Sequence, residues 1–139
     1  MGYTHYWRIE KKITDKNYEN TMLLCSELAF KYYKKYGGLS GFSAHVKPGK
    51  YSGLKINGSK DDAHEDFSFP EKLKMGFDFC KTARKPYDEV VTACLAIMKH
   101  NFKDAIEVSS DGNREEWNDG ITLVKEILNI NVKNPIIDE

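Results

Sequence analysis

The chain has no excess charge of either sign: 21 Lys and Arg are matched by 21 Asp and Glu over 139 residues. A nucleic-acid coat or a DNA mimic needs a strong field of one sign, so generic nucleic-acid binding is not expected. A local basic pocket is still allowed. No apolar run approaches the roughly 20 residues of a membrane span, so no membrane partner is expected. The opening MGYTHYWRIEKK lacks the hydrophobic segment of a secretory signal. Tyr6 stands where a myristoylation pattern needs Ser or Thr. The only cysteines are Cys25, Cys80 and Cys94. They are widely spaced and form no CxxC, which supports neither a zinc ribbon nor a disulfide framework. Reduced thiols and a cytoplasmic location are the expectation. There is no Walker A, GxGxxG or HExxH pattern, so an ordinary NTPase or Rossmann enzyme is disfavoured and no cofactor is expected. No internal repeat or low-complexity tract occurs.

Aromatic residues are plentiful. Two tryptophans, eight tyrosines and seven phenylalanines supply bulk for a core, since each large ring buries roughly 150–250 Å². GYTHYWRI alternates as a strand, with Tyr3, His5, Trp7 and Ile9 on one face and Thr4, Tyr6 and Arg8 on the other. Thr14 and Asp15 cap a helix running to about Tyr36, with Tyr18, Met22, Cys25 and Tyr32 on its apolar side. Gly37-Gly38 ends it. Residues 37–50 read as irregular, with a turn at Pro48-Gly49. KYSGLKI (50–56) and HEDFSF (64–69) read as a hairpin across a polar turn that begins at Asn57-Gly58.

A second helix is expected from Pro86 to about Asn101, striped by Val90, Cys94, Ile97 and Met98. A short strand at 105–110 leads through Asp111-Gly112 to a third helix. Asn113 and Glu116 form a capping pattern there, and Trp117, Ile121, Val124 and Leu128 form the apolar side. The expected fold is α+β and two-layered. It has a largely antiparallel sheet of about four strands and three helices, in the order β-α-β-β-α-β-α. Residues 1–130 form one domain and 131–139 a polar tail.

Five constellations carry chemistry. Cys80, beside Lys81, Arg84 and Lys85, has the cationic setting of a reactive thiol, but a buried cysteine is the commoner role. A C-x5-R phosphatase loop is absent. Lys81, Thr82, Arg84 and Lys85, with Tyr87 and Asp88, stand at a helix entrance, where N–H groups and the helix dipole favour anions. The competing reading is a solvated turn in which Asp88 pairs with a cation. His64, Glu65 and Asp66 offer acid–base groups or two metal ligands. A zinc or iron site needs a third ligand, which no spacing supplies, so no metal is expected. His5, Tyr6 and Trp7 belong either to the core or to a face that stacks on a base. Ser109, Ser110 and Asp111 with Gly112 suit a strand-end ligand site or a capped turn equally.

The chain resembles a family of small bacterial and phage proteins that open with MGYTHYW, here Met1 to Trp7. They share an NG segment, here Asn57-Gly58, and an H-E-x-F segment, here His64 to Phe67. They also share an FDFCKTARKPYDxVVTA core, here Phe77 to Ala93, and an SDG followed by a tryptophan-bearing helix, here Ser110 to Gly112 and Trp117. The resemblance implies a pocket built from the N-terminal strand, the HED segment and the KTARKPYD turn. The first expectation is therefore a binding protein for a small anionic, nucleotide-like ligand. Arg84, Lys81 and Lys85 would hold charge, and Tyr6, Trp7 or Tyr87 would stack. A phage setting implies a sponge that sequesters an immune second messenger. Two alternatives stand beside it. One is a small hydrolase or phosphodiesterase-like enzyme using His64, Glu65 and Asp66 or Cys80. The other is an inhibitor of a host protein that docks through an exposed aromatic patch. A homo-oligomer is left open.

Overall fold

Alternation at the N-terminus builds the central strand, β1 (Thr4–Ile9). In the computed structural model, which describes residues 2–40, 46, 47 and 50–137, His5, Trp7 and Ile9 are buried on its inner side while Arg8 is exposed. The helix α1 (Asp15–Tyr36) follows. Its start is fixed by Thr14, whose hydroxyl accepts the Asn17 N–H at 3.1 Å. That side-chain acceptor satisfies one of the N–H groups a helix start leaves open. Gly37, at φ 70°, ends it.

Short strands come next: β2 (Leu39–Ser40), β3 (Val46–Lys47), β4 (Lys50–Tyr51), β5 (Leu54–Gly58), β6 (Phe67–Phe69) and β7 (Gly76–Lys81). The helix α2 (Asp88–Phe102), the strand β8 (Ile106–Ser110) and the helix α3 (Asn118–Leu128) complete the order. One sheet runs β7-β1-β8 and a second runs β2-β5-β6, with β3 and β4 paired apart. All of these pairings are antiparallel. The chain is therefore α+β with three helices and two small antiparallel sheets.

Three local expectations are refined. The 50–56 strand is interrupted, because Gly53 sits at φ 134° between β4 and β5. Only Phe67–Phe69 of the HEDFSF segment is strand. Asn57, expected in a turn, lies in β5 and is nearly buried. Its carboxamide binds the N–H and C=O of His64 and the Asp66 carboxylate at 2.8–2.9 Å. These bonds hold residues 64–66 out of the ladder. The expected Pro48-Gly49 turn and residues 138–139 of the expected tail lie outside the described residues.

Packing joins the two sheets through aromatic rings. Trp7 stacks on Phe69 (5.3 Å, 26°) and meets Phe67 edge-on (5.4 Å, 70°). The helix α2 lies at the centre, packed against α1, α3 and β8. Every residue from Val90 to Met98 is buried, which marks a helix enclosed on all sides. Gly120 of α3 makes the close approach possible, because a Cβ there would collide with the Thr92 hydroxyl. Residues 131–137 form neither helix nor strand, yet they are tied down. Arg114 donates to the Ile136 carbonyl at 2.8 Å, and Asn134 donates to that of Arg114 at 2.8 Å. Among the described residues no helix is long and apolar enough to cross a membrane.

Candidate functional site

The turn from β7 into α2 is built from the backbone. Thr82 and Ala83 both donate their N–H groups to the Tyr3 carbonyl, at 3.1 and 3.2 Å. Ala83 and Arg84 then take left-handed conformations in succession, at φ 53° and 57°. Such conformations are uncommon outside glycine and concentrate at functional sites. Lys85 N–H returns to the Thr82 carbonyl and Asp88 N–H to that of Lys85. Most N–H groups that would face an anion are thus already used inside the turn. Pro86 lies in the turn, and α2 starts two residues later.

Arg84 lies over the ring of Tyr3, with its Cζ 4.2 Å from the ring centre. It donates from Nε and from a terminal nitrogen to one Glu116 carboxylate oxygen, at 3.2 and 3.0 Å. Both partners are solvent-exposed, so the pair orients the guanidinium more than it stabilises the fold. Lys81 and Lys85 are half-buried.

Beneath this turn runs a chain of short hydrogen bonds. Thr82 donates its hydroxyl to Asp88 Oδ1 at 2.5 Å. The same oxygen lies 2.5 Å from His5 Nε2. On the other side of the ring, His5 Nδ1 lies 2.7 Å from the Ser110 hydroxyl. A carboxylate only accepts, so Nε2 carries the proton given to Asp88; in the neutral ring, Nδ1 then accepts from the Ser110 hydroxyl. His5 is fully buried. Tyr3 and Trp117 meet its ring edge-on at 5.1 and 5.0 Å. Burial, aided by the nearby Asp88 and Glu116 charges, pushes the Tyr3 phenol up to about 12. The Trp117 indole N–H is buried without a partner among the described residues.

The acid–base candidates from the HED segment serve as anchors. His64 Nδ1 donates to the Lys81 carbonyl at 2.8 Å, since a carbonyl cannot donate. Glu65 accepts the Lys81 N–H at 2.9 Å, and Lys55 pairs with Asp66 at 3.3 Å. Cys80 is fully buried and donates to the Glu65 carbonyl. Burial and the Glu65 and Asp88 charges push its thiol up to about 12. The nucleophilic thiolate is therefore scarce at neutral pH. Among the described residues no group of three His, Cys, Asp or Glu is placed to hold a metal.

The aromatic candidates separate. Trp7 and Tyr87 are core residues, and the Tyr87 hydroxyl donates to the Glu65 carbonyl at 2.7 Å. Tyr6 projects from the opposite side of β1, the outer side of the β7-β1-β8 sheet. There it stacks on Phe77 (6.2 Å, 22°), which is followed by Phe79 at 6.2 Å. Phe77 is 53% exposed and Phe79 48% exposed. Arg8 lies over Phe77, 5.4 Å from its ring centre. Lys81 shares the alternation of Phe77 and Phe79 along β7. Asp111 braces this face by accepting the Tyr6 hydroxyl at 3.1 Å and the Thr4 N–H at 3.0 Å.

The structure therefore brings His5, Thr82 and Asp88 together, leaves Tyr6 on another face, and buries Trp7 and Tyr87. It adds Tyr3, Ser110 and Trp117 around the imidazole and Phe77 and Phe79 on the open face. The alternation Phe77-Asp78-Phe79-Cys80 signals a strand with both phenylalanines on one face. No family model, curated protein or solved structure matches this chain.

Proposed function

We propose that this protein binds a small, anionic, nucleotide-like ligand whose base stacks on the outer face of the β7-β1-β8 sheet. The carrying observation is the exposure of Phe77 and Phe79 beside Tyr6 on a face that the other described residues leave uncovered. Exposed rings in a row are a stacking surface, and each base stacked on an aromatic ring contributes about 1–3 kcal/mol. Arg8 and Lys81 are the cations nearest the rings by strand position. Glu107 lies across from Arg8, so the face is mixed in sign. Stacking, more than field strength, would set affinity. That favours a mono- or dinucleotide over a nucleic-acid tract and accords with zero net charge. In the phage setting implied by the resemblance, the ligand is a signalling nucleotide and the role is sequestration.

Calorimetric titration with mono-, di- and cyclic nucleotides at low salt tests this reading. Phe79→Ala is expected to weaken binding about 5- to 100-fold, the equivalent of one lost stack. Ligand released on heating should be chemically unchanged. Absence of binding by every nucleotide, or unaltered affinity in Phe77→Ala and Phe79→Ala, would overturn it.

A further inference from the structure

We propose that Ser110 is a nucleophile activated by His5 and Asp88, and that the cleft beside it takes a small uncharged carboxylic ester. This site is independent of the aromatic face. The order of groups is carboxylate, imidazole, hydroxyl, at 2.5 and 2.7 Å. These are the contacts by which a buried carboxylate orients an imidazole and the imidazole takes a proton from serine. The ring nitrogens are exchanged relative to the common serine-hydrolase arrangement, because here Nδ1 faces the serine. Either nitrogen of a neutral imidazole serves as the base, provided the other carries the proton.

Four neighbours sharpen the assignment. Thr82 gives Asp88 a second hydrogen bond and fixes its carboxylate. The Gly112 N–H donates to Ser110 Oγ at 2.9 Å, which favours negative charge developing there. Tyr3 and Trp117 hold the imidazole between two ring edges. A buried histidine kept only for packing would be satisfied by any two polar partners. This one ends on Ser110, a residue that lines an open cleft.

That space is a cavity of about 780 Å³ along the free edge of β8, within the usual size range of small-molecule sites. Ser110, Asp111 and Asn113 form one wall, and Pro135, Ile136 and Ile137 the other. Its charged lining groups are the acids Glu107 and Asp111, which repel phosphate esters and substrates that carry a free carboxylate and favour a neutral one. Asn113 uses its side-chain oxygen to accept the Glu116 N–H. Its NH₂ has no partner among the described residues and is the group available to a carbonyl oxygen that gains charge.

In the reaction, Ser110 Oγ bonds to the ester carbonyl carbon as its proton passes to His5 Nδ1. The bond to the leaving alkoxide then breaks, and the alcohol departs with that proton. Water attacks the acyl-serine, gives up a proton through His5, and releases the carboxylic acid. The net change is ester plus water to acid plus alcohol.

The full chain incubated with a fluorophosphonate probe and with p-nitrophenyl acetate tests the proposal. The expected result is one covalent adduct, mapped to Ser110 by peptide mass and absent in Ser110→Ala, with ester turnover lost in that variant. Asp88→Asn should slow labelling by about 10²-fold or more. Asp88 also holds Thr82, so Ser110→Cys supplies a probe that leaves His5 and Asp88 in place. Its alkylation by iodoacetamide should show an inflection well below the ordinary thiol value of about 8.5. An unlabelled Ser110, or an ordinary thiol profile in Ser110→Cys, would overturn the assignment.

Discussion

Gly112 lies directly against the hydroxyl of Tyr3, so closely that any β-carbon at 112 would collide with it. The same Tyr3 ring supports His5 from one side and carries Arg84 on its face. Gly112→Ala should therefore destabilise the fold by about 1–3 kcal/mol, the range for overpacking a filled interior. Urea denaturation measures this. The double variant Gly112→Ala/Tyr3→Phe should recover part of the loss, because the colliding oxygen is gone.

Alkaline pH should unfold the protein earlier than the number of its carboxylates and lysines suggests. Burial raises the phenols of Tyr3 and Tyr18 and the thiol of Cys80 to about 12, and those of Tyr51 and Tyr87 further. The unfolded chain releases these protons near pH 9–10, where the folded chain still holds them. Stability is fully present below that range and falls as pH rises from about 9 to 12. Each such group contributes about 1.4 kcal/mol per pH unit of that interval. Melting temperature measured from pH 8 to 11 should fall steadily. A flat profile would mean that these side chains are more solvated than their burial indicates.

The free edge of β7 is blocked by carboxylates. Asp78 accepts the Phe79 N–H at 2.7 Å, and Glu65 accepts the Lys81 N–H at 2.9 Å. Acidic groups that occupy edge donors discourage pairing with another chain. Asp78→Ala frees one donor next to two exposed phenylalanines. It should increase self-association, read by light scattering at rising concentration. Asp78→Asn, whose side-chain oxygen still accepts, should stay close to the parent.

Cys80 should resist alkylation. With the thiol raised to about 12, the thiolate fraction at pH 7 is about one part in 10⁵. Iodoacetamide should modify it in the native protein only at the rate of global opening. Cys80→Ala should lower stability by about 1–2 kcal/mol through the lost side-chain volume and leave ligand binding intact.

The sequence was most legible where a local rule set the structure. Thr14 bonds Asn17, and Asn113 and Glu116 exchange the reciprocal capping bonds their spacing predicts. Helical periodicity placed the buried side of α1 because that face is decided within a few turns. By contrast, the pairing of β7 was hidden, although its alternation marks a strand. Its apolar Phe77 and Phe79 face outward, and its partner β1 is some seventy residues earlier in the chain, so no nearby pattern marks the pairing. The relay was legible only as scattered polar residues. His5 meets Asp88 and Ser110 across 83 and 105 residues, and sequence spacing carries no information at that range. The HED segment reads as chemistry because its groups are polar. Asn57 and the end of β7 turn those groups into anchors.

The helix α2 has a consequence for how the chain tolerates change. Most helices show a periodic map of permissive and forbidden positions, because one side meets water. From Val90 to Met98 no side meets water. A saturation library across this stretch should show unbroken intolerance to charged residues, without the three-to-four-residue rhythm that α1 should display. Sequence drift in this protein would then be channelled away from its middle helix and into the surfaces around it.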